Sequence, residues 1–141
     1  MWILYAIFTI MFYVAFDFFL KRLAGKINDY FAIVIINILA LAPALLVYLW
    51  LKFAGKEIYA SREGFVFSIL AGVSVGLASL TFIKVFSVGG AGLSLGSPVV
   101  RVGMVLGAFL IGVFILKESV SAKQILGLIL SVIGVYLLMF K

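Results

Sequence analysis

Three charged residues lie inside long apolar stretches of this sequence, and they are its first candidates for chemistry. They are Asp17, Lys84 and Arg101. On insertion scales a charge at the centre of a membrane helix costs roughly 2.5–3.5 kcal/mol, so such a residue is a functional candidate by default. A carboxylate can pair with either cation, and a guanidinium group inside a membrane is suited to a carboxylate or phosphate.

Several other chemistries are excluded by what the sequence lacks. It has no cysteine and no histidine, which removes disulfide frameworks, zinc sites built on these residues, thiol nucleophiles and imidazole acid–base catalysis. No phosphate-binding loop ending in Gly-Lys-Ser/Thr occurs, and no paired carboxylates lie in an apolar stretch. We therefore expect no enzyme, no cofactor, no bound metal and no direct use of ATP. The net charge of +6 falls at membrane-surface positions, so nucleic-acid binding is not expected.

The elements that carry these charges are predicted to be membrane-spanning helices. The 141 residues are 67% hydrophobic and 11% charged, whereas soluble chains are about half apolar and about a quarter charged. A hydrocarbon core of about 30 Å needs about 20 helical residues per crossing, which leaves room for about five spans. We predict a single all-α integral membrane domain, 1–141, with spans at about 2–20, 30–51, 64–86, 91–116 and 122–140.

The first apolar stretch is interpreted as a span and not as a signal peptide. No basic residue precedes it and no small-residue cleavage site follows it. Pro43 lies inside the second span and is expected to kink it. The fourth span has two possible starts. It begins at Pro98, which favours the first turn of a helix, or near Ala91 after a tight Gly89–Gly90 turn, with a kink at Pro98. The absence of charge from 87 to 97 favours the second.

Depth along the helices gives each charged residue alternative roles. Asp17 and Lys84 are both predicted to lie about 5 Å from the same membrane surface. There they form a gate or a local salt bridge, or each extends its side chain separately to the surface. Arg101 is equally shallow if the fourth span begins at Pro98, and reaches the surface in the same way. It lies about 15 Å deep if the span begins near Ala91, where it contacts substrate or pairs with Asp17 or backbone carbonyls.

Uncharged residues within the spans supply further candidates. Asn37 and Tyr13 are polar groups in mid-span, so they line a substrate cavity or make interhelical hydrogen bonds worth under about 2 kcal/mol. Small residues spaced four apart let helices approach closely, either within one protomer or at a dimer seam formed by the fourth and fifth spans. These small residues are Gly72, Gly76, Gly103, Gly107, Gly127 and Ser131.

The basic residues outside the spans divide almost evenly between the two membrane sides. The two totals differ by one residue, and orientation follows the bias in basic residues. The chain is therefore free to insert both ways, unless the early connector with Lys21, Arg22 and Lys26 fixes one orientation. Five spans place the two termini on opposite sides. Two copies inserted in opposite directions would reproduce as a homodimer the inverted repeats that many transporters encode in one chain.

The C-terminal half resembles the end of an EamA-type repeat of the drug/metabolite transporter superfamily. The resemblance rests on a proline-bearing fourth helix, a glutamate at the following turn, a Gln and a Gly opening the fifth helix, and a Gly-Val-x-Leu-Leu close. These features lie in the stretches 92–103, 114–127 and 129–138. Lys21, after an aromatic-rich first span, is also similar to a lysine at the end of the family's first helix.

The resemblance implies a transporter built from two copies. Members usually carry two repeats in ten helices, whereas this chain has one. The resemblance thus implies an inverted homodimer that moves a small metabolite or drug-like solute by alternating access around a midplane cavity. The sequence departs from the family pattern at Asp17 and Arg101, and Arg101 favours an anionic solute. The competing class is a non-transporting membrane component, or one half of a heterodimeric transporter or flippase. The expected location is the inner (plasma) membrane of a prokaryotic cell.

Overall fold

The protein was examined as a computed structural model that describes residues 2–88 and 91–139. In these two ranges the chain forms five helices and no strand. Each helix is long and apolar enough to cross a membrane, which confirms the predicted all-α chain with five apolar helices. The helices are α1 (Trp2–Leu23), α2 (Asp29–Phe53), α3 (Arg62–Ser87), α4 (Leu93–Phe114) and α5 (Ala122–Met139).

The N-termini of α2, α3 and α5 are fixed by local side-chain caps, whereas the N-cap Gly92 of α4 makes no side-chain hydrogen bond. Asn28 accepts hydrogen bonds through Oδ1 from the backbone amides of residues 30 and 31, at 3.0 and 3.2 Å. Ser61 accepts one from the amide of Gly64 at 3.0 Å. Before α5, the Ser121 amide donates to Gln124 Oε1 at 2.7 Å, and the Gln124 amide donates to Ser121 Oγ at 3.3 Å. Together they form a capping box.

The end of α2 is fixed by glycine. Gly55 has φ +68°, a left-handed conformation that glycine adopts without the steric cost of a Cβ atom. The Lys56 amide donates to the Leu51 carbonyl at 3.1 Å, and the Gly55 amide to the Lys52 carbonyl at 3.2 Å. These two bonds form a Schellman motif, which satisfies carbonyls left over by the last helical turn.

The chain divides into two units, each described by itself. The α2–α3 unit comprises the described residues 19–88, and contains the end of α1 with α2 and α3. The α4–α5 unit comprises the described residues 2–18 and 91–139, and contains most of α1 with α4 and α5. The core of the α2–α3 unit consists of buried apolar side chains from three helices, which are Leu20, Ala32, Ile33, Ile83 and Phe86.

Both prolines lie inside helices. Pro43 lies within α2, and α4 begins at Leu93, so Pro98 is the sixth residue of that helix. The structure therefore follows the second of the two possible starts for the fourth span. The Gly89–Gly90 turn lies outside the described residues. Helix continues through both prolines, and the kinks expected from the missing backbone N–H and the ring clash stay predictions.

Most apolar side chains of the helices face outward. No residue of Ala122–Met139 is buried, and large aromatic and aliphatic side chains are exposed on every helix. A soluble protein rarely exposes apolar surface on this scale. This surface is compatible with contact to lipid.

Candidate intramembrane charge site

Asp17 and Arg101 form an ion pair within the α4–α5 unit. The distance from Arg101 Nη2 to Asp17 Oδ1 is 2.7 Å. The side chain of Asp17 is 5% exposed and that of Arg101 is 30% exposed. The pair joins the C-terminal part of α1 to the N-terminal half of α4, so it fixes two helices that are far apart in sequence.

Two further side chains complete this arrangement. Ser97 donates a hydrogen bond through Oγ to Asp17 Oδ2. The ring of Tyr13 lies against the guanidinium group, with its centroid 4.4 Å from Arg101 Cζ, a distance that permits cation–π attraction. On each helix the two residues are four apart, a spacing that puts them on one face. We call Tyr13, Asp17, Ser97 and Arg101 the Asp17 cluster.

The two charges of the cluster have different surroundings. Both carboxylate oxygens of Asp17 accept hydrogen bonds, and the residue is 3% exposed. The Arg101 side chain keeps nearly a third of its surface accessible. A buried carboxylate needs its partners because an uncompensated buried charge is strongly destabilising. Arg101, in contrast, has surface that a second anionic group could reach.

The depth of the cluster follows from the helix bounds. Arg101 lies eight residues after the first residue of α4, and Asp17 lies six residues before the last residue of α1. At 1.5 Å per residue, these offsets correspond to about 12 Å and about 9 Å. The ion pair therefore lies well inside both apolar helices. It is deeper than the depth of about 5 Å that the sequence predicts for Asp17, and for Arg101 if the fourth span begins at Pro98.

Lys84 has a different partner from the one that its depth suggested. In the α2–α3 unit, Lys84 Nζ lies 2.7 Å from Asp29 Oδ2, and Ser87 Oγ donates to the same oxygen at 2.8 Å. The Lys84 ammonium also lies 4.8 Å from the centroid of the Tyr30 ring. Asp17 and Lys84 thus each form an ion pair, but with Arg101 and Asp29 respectively. Whether either pair acts as a gate stays a prediction.

Asp29 is not among the pairing residues predicted from the sequence. One signal could have found it. α2 and α3 are consecutive helices that pack together, so the first turn of α2 and the last turn of α3 lie at the same end of the pair. Asp29 is the acidic residue in the first turn of α2, and Lys84 is the basic residue in the last turn of α3.

The two uncharged candidates lie in separate units. Tyr13 belongs to the Asp17 cluster. Asn37 donates through Nδ2 to the Ile33 carbonyl at 2.9 Å, a bond within its own helix and not between helices. It lines an open groove of about 520 Å³ between α2 and α3, with Tyr30 at one end and Gly76 on the α3 side. Direct contact of either residue with a substrate stays a prediction.

The small residues spaced four apart do not form tight contacts within the described part of the chain. Apart from the backbone of its own helix, a Cβ atom at any of the five predicted glycines would meet no other atom within 4 Å. Ser131 donates through Oγ to the carbonyl of Gly127 at 2.8 Å, inside α5. Close helix packing in one protomer and a dimer seam both stay predictions for these glycines. The glycines are Gly72, Gly76, Gly103, Gly107 and Gly127.

In its described residues the chain thus has five helices, each apolar enough to span a membrane, and an ion pair whose carboxylate is buried. No protein family, curated protein or solved structure matches the chain. Within residues 2–88 and 91–139, no group of three acidic residues is placed to hold a metal ion. The geometry of the Asp17 cluster and the sequence motifs are therefore the two sources of information about function.

Proposed function

We propose that this chain is one protomer of a secondary transporter, with Arg101 as a contact for the transported solute. The observation that carries the proposal is the Asp17 cluster, a buried ion pair between two helices that could each cross a membrane. Ionisable residues in such helices are expensive and mark solute and ion pathways in transporters. The resemblance of the C-terminal half to an EamA-type repeat supports the same conclusion.

The geometry of the pair favours an anionic solute. A guanidinium group has five donors in a planar fork, and Asp17 is 2.7 Å from one of its nitrogens. The accessible part of the Arg101 side chain allows a carboxylate or phosphate of a small metabolite to approach. Asp17 would then orient the guanidinium group, and Tyr13 would cover one of its faces. A solute that binds one conformation better than another shifts the population between them, as alternating access requires.

The proposed assembly is an inverted homodimer. Five spans in one chain correspond to one repeat of a ten-helix transporter, and two copies of opposite orientation would enclose a midplane cavity. Support comes from the even division of basic residues and from the open space beside Gly103, Gly107 and Gly127 on α4 and α5. The termini would lie on opposite sides of an inner (plasma) membrane, with lipid as the surrounding partner.

The first test measures solute uptake into vesicles that contain the purified protein. A panel of small carboxylates and phosphates is offered to wild type, Arg101→Gln, and the matched variant Arg62→Gln at the exposed start of α3. Loss of an anion-binding interaction of about 3 kcal/mol would lower the uptake rate at limiting solute more than 100-fold. We expect this loss in Arg101→Gln only. Equal uptake of every anion by all three proteins would refute the solute contact.

The second test determines orientation. Reporters fused to both termini are expected to reveal two populations of similar size, each with the termini on opposite sides. A single orientation would refute the inverted homodimer. It would favour the alternative in which this chain is one half of a heterodimeric transporter or flippase.

A further inference from the structure

The second charged cluster lies at the mouth of the groove between α2 and α3. Lys84, paired with Asp29 at 2.7 Å, lies 4.8 Å from the ring centroid of Tyr30, and Tyr30 is also the first residue that lines the groove. The charged end and the groove are therefore one continuous surface within the α2–α3 unit.

This end of the unit is strongly basic. Lys21 lies 5.7 Å from the ring centroid of Phe86, which places the end of α1 beside the end of α3. Arg22 and Lys26 follow in the last turn of α1 and in the connector. With Lys84, these residues give four basic side chains against the single acid Asp29 in the stretches 19–30 and 84–88. Each basic residue near an anionic membrane surface contributes about 1 kcal/mol of attraction.

The groove itself is apolar and runs inward from the basic end. Its lining residues on α2 and α3 recur three or four apart, so each helix contributes one face. On α2 the groove extends from Tyr30 to Ile38, which corresponds to about 12 Å along the helix. Gly76 is among the lining residues, and a Cβ atom there would meet nothing within 4 Å. The absence of a side chain at this position leaves the space open.

The groove leaves room for a hydrocarbon chain. Its lining is almost entirely apolar, and no side chain fills the space beside Gly76. A thin acyl chain can therefore lie along its floor past Gly76.

We propose that the α2–α3 groove is a binding site for an anionic phospholipid, independent of the solute contact at Arg101. The phosphate lies at the basic end, where an ammonium with three donors gives one to Asp29 and keeps others for the phosphate oxygens. Lys21 and Arg22 supply further positive charge. One acyl chain extends along the groove between Tyr30 and Gly76. The Asp29 pair acts by holding the Lys84 ammonium at the groove mouth.

Native mass spectrometry tests this site. The purified protein is released from detergent micelles that contain both phosphatidylglycerol and phosphatidylcholine. Wild type is expected to retain phosphatidylglycerol preferentially. Lys21→Gln/Arg22→Gln should lower that preference by roughly 30-fold, the equivalent of two surface charges. Lys117→Gln/Lys123→Gln, which removes two charges of the α4–α5 unit, one in the connector after α4 and one in the first turn of α5, should leave it unchanged.

The groove is tested separately by filling it. Gly76→Leu should abolish lipid retention, whereas Gly107→Leu, at a glycine of α4 with the same lack of neighbours, should not. Circular dichroism verifies that both variants are helical. If Gly76→Leu does not fold, Gly76→Ala serves in its place, with a partial loss expected. The proposal is overturned if wild type retains both lipids equally, if the glycine variants behave alike, or if Gly76→Leu dissociates a dimer without changing lipid retention.

Discussion

The ion pair of Asp17 and Arg101 allows a quantitative prediction about stability. Arg101→Met leaves a carboxylate that is 3% exposed and keeps its hydrogen bond from Ser97. Removing one partner of a buried pair costs about 3–5 kcal/mol. Asp17→Asn leaves the more exposed guanidinium group against Tyr13. It replaces a hydrogen bond between charged groups, worth about 1.5–3 kcal/mol, by a weaker one to a neutral amide oxygen. Arg101→Met should therefore be the more destabilising of the two.

The double variant distinguishes pairing from two independent effects. Asp17→Asn/Arg101→Met has no uncompensated charge, and neutral replacement of a buried ion pair often has little cost. The double variant should be more stable than Arg101→Met alone, and its cost should be far below about 4.5–8 kcal/mol, the sum of the costs of the two single variants. Recovery of stability on adding a second substitution is the most direct signature of the pair.

The assay is reversible unfolding in mixed detergent micelles, followed by helical circular dichroism. It does not depend on the solute, so it tests the site without the proposed function. Lys26→Met, at an exposed connector position, serves as the control and should shift the unfolding free energy by less than about 0.5 kcal/mol. Additive costs in the double variant, or a larger cost for Asp17→Asn than for Arg101→Met, would refute the reasoning.

Two further predictions concern the helix ends, and both use the same unfolding assay. Asn28→Ala removes the side chain that caps α2 and should lower the free energy of unfolding by about 1 kcal/mol. Asn28→Ser keeps a capping oxygen and should retain most of that stability. Equal stability of the two variants would contradict the cap. Gly55→Ala places a side chain at φ +68° and should cost about 1–2 kcal/mol. Gly72→Ala, in open space within α3, should be neutral or stabilising, and a larger cost there would show that Gly72 packs against another chain.

The helices and their caps could be predicted from sequence because both depend on local patterns. Five apolar runs predict five helices, and Asn28, Ser61 and the Ser121–Gln124 spacing predict their starts. These features need only the residues within a few positions of one another. The start of α4 was harder, because Pro98 is compatible with either the first turn or the interior of a helix.

The pairing of charges could not be predicted in the same way. Sequence position gives the depth of a residue along its helix, but it does not give the neighbouring helix or the face. Asp17 and Lys84 have similar depths, and yet Arg101 and Asp29 are their partners. Arginine is long enough to compensate for a few ångströms of difference in depth, so depth alone does not select its partner. The spacing of the glycines likewise does not tell which atoms of other helices lie beside them, so the open space there could not be predicted.

The Asp17 cluster also constrains how the chain enters the membrane during synthesis. Arg101 follows Asp17 by 84 residues, and at about 5–20 residues per second the ribosome needs roughly 4–17 s to make that interval. During this time α1 carries a carboxylate whose guanidinium partner does not yet exist, at a cost of roughly 2.5–3.5 kcal/mol if it lies at the bilayer centre. The first helix therefore reaches its final, compensated state only after the fourth helix has been translated.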